Sequence, residues 1–223
     1  MNRIAVIVAG GTGSRMGGEI PKQFLTINGK AIILYTIEAF FKAYDDIRII
    51  LVLHKDYISY ARQLLIDADL RQNIEIVEGG ESRFQSVKNG LKNITQDAIV
   101  FVHDAVRCLV SIDLIRKCSD FAADHGSAIP VIPVRDSIRK RNTSTGRSES
   151  VSREDLFIVQ TPQTFRSDIL LPAFDVAYHP SFTDEATVVE YNGGKVELVE
   201  GEERNIKITF PEDISLASWR LKN

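Results

Sequence analysis

Cysteine is scarce in this 223-residue sequence, which contains only Cys108 and Cys118 and shows no metal-ligand spacing around them. Two cysteines do not make a disulfide framework, so we expect free thiols in a reducing cytosol. Long apolar runs are also missing. No window approaches the ~20 apolar residues of a membrane span, and the N-terminus lacks the pattern of a signal peptide. We therefore expect a cytoplasmic protein with no membrane partner.

The sequence also lacks a large excess of either charge, because its formal net charge is only −3 at pH 7. A protein with so little net charge is a poor non-specific ligand for nucleic acid, and no nucleic-acid partner is expected. Any anionic ligand must then be bound by a local basic site rather than by a globally positive surface.

Short apolar segments alternate with amphipathic segments along most of the chain. Runs rich in β-branched residues predict buried strands over 4–9, 47–53, 74–77 and 99–103, with further candidate strands at 196–199 and 206–208. Helical spacing of apolar residues predicts helices over 32–42, 57–65, 86–93 and 113–125. This alternation predicts an α/β fold in a single domain over residues 1–223: a Rossmann-like, mostly parallel sheet with helices on both faces.

The segment 137–150 interrupts that pattern, because it is polar and basic with almost no apolar residue. Candidate strands flank it, and Asn142 and Gly146 are typical turn residues, so we expect a protruding β-hairpin arm. A disordered surface loop is the alternative interpretation.

A glycine-rich turn follows the first predicted strand, and two cations, Arg15 and Lys22, lie just beyond it. Backbone N–H groups in such a turn converge on an anion, and nearby cations make a phosphate ligand more favourable. The turn has neither the Gly-Lys-Ser/Thr ending of a Walker loop nor the third glycine of a dinucleotide fingerprint, where Met16 stands instead. The sequence therefore predicts a phosphate-binding loop of another kind.

Several motifs in a fixed order carry a resemblance that covers essentially the whole chain. The glycine loop, Gly-Gly-x-Gly-x-Arg-Met followed by Pro-Lys-Gln-Phe-Leu, resembles the signature of sugar-phosphate nucleotidyltransferases. More narrowly, the chain resembles the methylerythritol phosphate cytidylyltransferase family of non-mevalonate isoprenoid biosynthesis. Further motifs of that resemblance lie at 78–86, 102–107, 133–136, 160–163, 183–186 and 205–209.

The resemblance implies a reaction of CTP with a sugar-alcohol phosphate, a Mg²⁺ cofactor, and Arg15 and Lys22 as catalytic residues. It implies that the nucleotide is bound by Ala9, Gly10, Gly11, Thr12, Gly13, Gly80, Glu81, Ser86 and Asp104. Glu81 departs from the pattern, since Asp is commoner there, which leaves its contact open. Asp104 is also the candidate metal ligand, because a carboxylate at a strand's carboxyl end suits Mg²⁺. The neighbouring His103 is expected to be structural.

By the same resemblance, the second substrate is bound by Arg107, Asp136, Ser137, Arg153, Thr161 and Lys207. Ser137 stands where Thr is usual, and either residue supplies a hydroxyl. The family also uses an arm that reaches into the partner subunit's active site. We therefore expect a homodimer in which the arm, at about 137–152, is exchanged.

Three alternatives stay open at this point. A ribitol 5-phosphate cytidylyltransferase shares the glycine loop and the His-Asp-Ala-Val-Arg type of segment. A non-catalytic nucleotide-binding module could have the same fold, but it predicts loss of Arg15, Lys22 or Asp104, all of which are present. A dinucleotide-dependent dehydrogenase predicts an acidic residue ending the second strand, whereas Glu38 falls within a helical pattern.

Overall fold

The protein is described by a computed structural model that covers residues 1–10, 20–70 and 72–222. Its strands are β1 (Asn2–Ala9), β2 (Thr26–Ile27), β3 (Lys30–Ala31), β4 (Arg48–Leu53), β5 (Ile74–Glu78), β6 (Ala98–Asp104), β7 (Ser127–Pro133), β8 (Ile138–Arg141), β9 (Ser148–Val151), β10 (Phe157–Val159), β11 (Gln163–Arg166) and β12 (Leu198–Glu200). Its α-helices are α1 (Ile32–Ala43), α2 (Ile58–Asp67), α3 (Arg83–Leu91), α4 (Ile112–His125), α5 (Ser167–Ala173), α6 (Glu185–Tyr191) and α7 (Pro211–Lys222).

Eight strands form the main sheet in the order β10-β7-β11-β6-β1-β4-β5, with β12 paired to β7. The strands β6, β1, β4 and β5 run parallel, while β11 inserts antiparallel between β6 and β7. The prediction of a mostly parallel sheet is confirmed for the half that carries the glycine loop. Because parallel strands end at the same edge, the residues after β1, β5 and β6 are brought to one side of the molecule.

Helices cover both faces of this sheet, as the alternating pattern predicts. Alternate residues of β1 belong to two separate apolar clusters. Ala5 and Ile7 pack with residues of α1, α2 and α4, whereas Ile4 and Val6 pack with residues of α3, α5 and α6. A strand buried on both faces reads as a continuous apolar run, which explains why β1 shows no polar alternation.

The polar segment after β7 forms the predicted hairpin. Strands β8 and β9 pair antiparallel in a small sheet of their own, with Ile138 opposite Val151. The Asn142 side chain accepts backbone hydrogen bonds from Ser144 and Thr145 at 3.0 Å, and Gly146 supplies a positive φ of 70°. These turn contacts favour an ordered arm over the alternative of a disordered loop.

Two sequence predictions differ from the structure. The expected strand at 206–208 is wrong, because residues 205–209 belong to no strand or helix. Ile208 donates its backbone N–H to the Val106 carbonyl at 3.0 Å. Strand β11 and helix α5 were not expected, because 160–166 is short and carries Gln and Thr rather than a continuous apolar run.

Within the described part of the chain, no helix is both long enough and apolar enough to cross a membrane.

Candidate active site

The glycine loop begins where β1 ends, and Gln23, 14 residues after Ala9, contacts that point again. Gln23 lies in a short 3₁₀ turn, Lys22–Phe24, and its buried side chain donates to the Ala9 carbonyl at 2.8 Å. The neighbouring Lys22 donates through Nζ to the Ile208 carbonyl at 2.9 Å. Lys22 therefore lies between the end of β1 and the segment 205–209. Gly11, Thr12, Gly13 and Arg15 lie outside the described residues.

The hydroxyl of Ser86 lies close to the glycines that follow β1 and β5. It accepts a hydrogen bond from the Gly80 backbone N–H at 3.0 Å. A Cβ atom at Gly10 would lie 3.2 Å from Ser86 Oγ, and one at Gly79 would lie 3.0 Å from it. At Gly80 a Cβ would lie 2.1 Å from Gln85, so only glycine fits the approach to α3. Three of the predicted nucleotide residues thus lie together, and Glu81 beside them is exposed.

Three cations surround the carboxylate of Asp104, at the carboxyl end of β6. Its Oδ2 lies 2.9 Å from Lys207 Nζ and 3.6 Å from Arg107 Nε, and its Oδ1 lies 3.5 Å from Arg83 Nη2. Burial by itself would raise the pKa of Asp104, but Arg83, Lys207 and Arg107 together lower it well below the ordinary value. Asp104 is therefore a buried, permanently ionised carboxylate in a basic pocket.

Arg107 and Thr161 are fixed around the same carboxylate by buried hydrogen bonds. Arg107 donates to the Asn205 carbonyl at 2.8 Å, and Asn205 in turn donates through its amide to the Thr161 carbonyl at 2.8 Å. Burial lowers the pKa of Arg107, although Asp104 opposes that change. Asp104, Arg107, Thr161 and Lys207, which lie far apart in sequence, are thus brought together as the sequence predicts.

His103 has a structural environment, in agreement with the sequence interpretation. Its Nδ1 lies 3.1 Å from Thr161 Oγ1, and its Nε2 lies 3.3 Å from the Arg107 carbonyl. Complete burial lowers the pKa of His103 to about 3, so the ring is neutral. A neutral ring protonated at Nε2 satisfies both contacts, since Nε2 donates to the carbonyl and Nδ1 accepts from the hydroxyl.

Asp136, Ser137 and Arg153 flank the β8–β9 hairpin. All three are exposed at the base of the arm, and Arg153 donates to the Arg135 carbonyl. Across the described ranges, no hydrogen bond or ion pair joins them to Asp104, Arg107, Thr161 or Lys207. Among the residues that the structure describes, these three thus make no direct contact with the other predicted substrate residues of the same chain.

Sequence analysis missed two charged residues of the site, Arg83 and Glu185. Arg83 begins α3 and forms a two-pronged ion pair with Glu185, the first residue of α6. Burial raises the pKa of Glu185, and Arg83 opposes this. Both residues belong to motifs quoted above, 78–86 and 183–186, but no spacing rule links positions 102 residues apart.

The donor set fits a magnesium ion that is bound together with a nucleotide. Among the residues that the structure describes, no group of three or more His, Cys, Asp or Glu side chains could hold a metal. Mg²⁺ in nucleotide enzymes is commonly held by one or two carboxylates plus phosphate oxygens, and Asp104 offers one buried, ionised carboxylate for such a site.

The chain is similar to proteins of one family over nearly its whole length. Residues 3–223 match the family described as IspD, 2-C-methyl-D-erythritol 4-phosphate cytidylyltransferase. Curated relatives of that name include one from Bacteroides fragilis, 46% identical over 98% of this chain and 99% of its own. Another, from Bacteroides thetaiotaomicron, is 42% identical with the same coverage of both chains.

Solved structures agree with the sequence comparison. The 4-diphosphocytidyl-2C-methyl-D-erythritol synthase of Anaerococcus prevotii superposes with a TM-score of 0.86 at 26% identity, covering 100% of this chain and 97% of that one. The 2-C-methyl-D-erythritol 4-phosphate cytidylyltransferase of Francisella tularensis has a TM-score of 0.81 at 30% identity, covering 99% and 100%. The chain spans 54% of the bifunctional IspDF from Campylobacter jejuni, with a TM-score of 0.81 at 28% identity. The α/β fold and the match along the full sequence together place this chain in the 2-C-methyl-D-erythritol 4-phosphate cytidylyltransferase family, and it is therefore a nucleotidyltransferase.

Proposed function

We propose that the chain performs the family's reaction at the Asp104 cluster, joining the CMP part of CTP to 2-C-methyl-D-erythritol 4-phosphate and releasing pyrophosphate. The observation that carries this proposal is the placement of one ionised carboxylate and three cations beside the Gly10, Gly80 and Ser86 cluster. Such a pocket suits two anionic substrates that must meet, one of which brings a flat base and a triphosphate.

The reaction needs charge control more than it needs a base. A phosphate monoester is largely dianionic near neutral pH, since its second pKa is ~6. One of its oxygens forms the new bond to the α-phosphorus of CTP, and the bond from that phosphorus to the bridging oxygen breaks, so that the electron pair leaves with pyrophosphate. Catalysis then consists of positioning the two anions and stabilising the charge that develops between them.

We assign the residues of the site accordingly. The glycine loop from Ala9 to Gly13, together with Gly80, Glu81 and Ser86, would bind the nucleotide. Arg15 and Lys22 would stabilise the α-phosphoryl group and the departing pyrophosphate. Asp104 would hold a Mg²⁺ ion, which when bound neutralises triphosphate charge. Arg107, Thr161 and Lys207 would receive the sugar-alcohol phosphate.

A homodimer completes the proposal. Asp136, Ser137 and Arg153 are exposed, and within the described residues they form no hydrogen bond or ion pair with the Asp104 cluster. Exchange of the arm between two subunits would bring them to the partner's site, and a two-fold axis permits such a reciprocal exchange. A cytoplasmic location belongs to the same proposal, because both substrates are small water-soluble metabolites.

The decisive experiment is an assay of pyrophosphate release with CTP and each candidate acceptor in turn. We expect turnover with 2-C-methyl-D-erythritol 4-phosphate and at most weak turnover with ribitol 5-phosphate, the alternative that the family assignment does not favour. Faster turnover with ribitol 5-phosphate would overturn the assigned acceptor. Nucleotide binding without turnover on either acceptor would favour a non-catalytic module instead.

A further inference from the structure

The guanidinium of Arg83 lies between two carboxylates that are far apart in sequence. It pairs with Glu185 through both terminal nitrogens, and the Nη2–Oε2 distance is 3.1 Å. The same Nη2 lies 3.5 Å from Oδ1 of Asp104, which is a looser contact. The Glu185 side chain is only 1% exposed, compared with 10% for Asp104 and 28% for Arg83. Arg83 therefore contacts both carboxylates, and its closer contacts are with Glu185.

The position of Glu185 is fixed relative to the strand that carries Asp104. Asp184 caps α6 in a reciprocal capping box with Thr187, which sets the first turn of the helix. Gln163 then donates to Asp184 at 2.9 Å and accepts from the Ala186 backbone N–H at 2.9 Å. Gln163 belongs to β11 and lies opposite Val102 of β6, two residues before Asp104. The start of α6 is thus tied to the neighbouring strand of the active-site carboxylate.

We propose that Glu185 is a positioning residue that holds Arg83 back from Asp104, so that the Asp104 carboxylate stays available for the metal–nucleotide complex. This inference rests on the proposed function, because it assumes that Asp104 serves a metal-bound nucleotide. A bidentate pair with a buried carboxylate is a strong, oriented interaction for Arg. Without that pair, the guanidinium would close on the remaining carboxylate, Asp104.

The other charges around Asp104 explain why the distance between Arg83 and Asp104 matters. Asp104 already has Lys207 at 2.9 Å and Arg107 at 3.6 Å from Oδ2, so Oδ1 is the oxygen with the looser contact. A third close cation at Oδ1 would compete directly with Mg²⁺ for the carboxylate. Lys207 pairs with Asp104 but is 40% exposed, so a substrate phosphate can reach its ammonium group, whereas the guanidinium of Arg83 is also paired with Glu185.

The test compares Glu185→Gln with wild type in calorimetric titrations of CTP, without the second substrate, in MgCl₂ and in chelator. The amide keeps the shape of the side chain but loses the anion that holds Arg83. We expect CTP affinity in MgCl₂ to fall about threefold to tenfold, while affinity in chelator stays equal or rises because the pocket has lost a negative charge. Glu190→Gln, an exposed carboxylate on the same helix, is the matched control and should change neither affinity.

A paired substitution distinguishes a role of Glu185 in holding Arg83 away from Asp104 from a role in stabilising the fold. Arg83→Met with Glu185→Leu replaces the buried ion pair by apolar side chains, a change that proteins often tolerate. The competing cation is then gone, so the ratio of CTP affinity in MgCl₂ to CTP affinity in chelator should return to within about twofold of the wild-type ratio, even though the loss of a pocket cation lowers both affinities. Thermal unfolding of each variant reports on stability separately. If Glu185→Gln fails to fold, the paired variant decides alone, and a ratio of affinities in MgCl₂ and chelator that stays well below the wild-type ratio would overturn the proposal.

The outcomes distinguish this inference from the proposed function. Parallel losses in MgCl₂ and in chelator for Glu185→Gln would mean a generally loosened site and would overturn the inference. Unchanged binding in MgCl₂ would also overturn it while leaving the assigned reaction intact. Wild-type protein that binds no CTP under either condition would instead contradict the proposed function itself.

Discussion

The hydroxyl of Thr161 accepts a hydrogen bond from the backbone N–H of Asp104, with a nitrogen–oxygen distance of 3.1 Å. The same oxygen lies 3.1 Å from His103 Nδ1, so one hydroxyl contacts two consecutive residues at the end of β6. Thr161 follows β10, and the contact therefore ties the carboxyl end of the central strand to a distant part of the chain. The position of the Asp104 carboxylate depends on it.

Thr161→Val removes this hydroxyl while keeping the shape of the side chain. A buried backbone N–H and the His103 ring then lose a partner, which typically costs about 1–3 kcal/mol. We expect a lower free energy of unfolding in denaturant titrations and lower turnover, because Asp104 is no longer fixed. Thr161→Ser restores the hydroxyl and should recover both properties; a Val variant equal to wild type would show that the contact is dispensable.

Arg15→Ala and Lys22→Ala should each reduce turnover strongly. Losing one preorganised charge contact to the transition state typically costs ~10²–10³ in rate. Steady-state kinetics with CTP and the sugar-alcohol phosphate measures the effect, and circular dichroism checks the fold. Lys42→Ala is the control, because Lys42 is an exposed cation paired only loosely with Glu38 at 3.8 Å. Near-normal turnover in either test variant would remove that residue from the assigned catalytic role.

Asp104→Asn should abolish magnesium-dependent activity, because the amide cannot replace an ionised oxygen ligand. The same change leaves the cations Arg83, Arg107 and Lys207 without their shared anion, so binding of metal-free CTP should be retained or strengthened. Turnover against Mg²⁺ concentration and CTP titration in chelator measure the two effects. A magnesium titration that matches wild type would exclude Asp104 as the ligand, and full wild-type activity in excess chelator would exclude the metal.

Two inactive variants should complement each other if the arm is exchanged between subunits. Arg15→Ala disables the body of a site, and Arg153→Ala disables the arm. In a mixed dimer, one site carries both lesions and the other carries neither. Random mixing makes about half of the dimers mixed, each with one intact site, so activity should recover to about a quarter of wild type.

The complementation experiment requires denaturing and refolding the two variants together, because dimers can exchange slowly. Mass spectrometry of differently tagged subunits shows whether mixed dimers form. Mixed dimers that stay inactive would show that Arg153 acts within its own chain. A monomer at working concentration would contradict the arm exchange altogether.

The two cysteines should be unreactive in the folded protein. Burial raises the pKa of Cys108 to about 12 and that of Cys118 to about 12, so neither forms a thiolate near neutral pH. Ellman's reagent should detect no thiol in native protein and both thiols after unfolding. Rapid native labelling of either residue would contradict the buried position.

The same shifts set the direction of an alkaline effect on stability. Between the ordinary value of 9.0 and about 12, the unfolded chain loses thiol protons that the folded chain keeps. The cysteine contribution to stability is therefore complete below pH 9 and is lost as the pH rises through this window. Comparing wild type with the Cys108→Ala, Cys118→Ala double variant isolates this contribution from other groups.

The sequence by itself determined the parallel strands of the sheet, helices on both of its faces, the arm and the family, but not the antiparallel strand β11. Continuous apolar runs such as β1 mark strands buried on two faces, and ordered motifs such as Pro133-Val-Arg-Asp136 mark the family. It also singled out Asp104, Arg107, Thr161 and Lys207 as candidate site residues, and the structure places these four side by side. These features follow from local pattern and motif order, which a linear sequence displays.

Only the tertiary structure decided which charged residues pair with one another and which groups of the site are ionised. The ion pair between Arg83 and Glu185 joins the first turns of two helices on one face of the sheet, and no periodicity relates positions so far apart. The neutral state of His103 depends on its complete burial beside Thr161. The exposure of Asp136 and Arg153 at the base of the arm likewise depends on how the chain leaves the sheet after β7. The burial of a group and its state of ionisation depend on all of its neighbours in space, and the fold determines which residues those are.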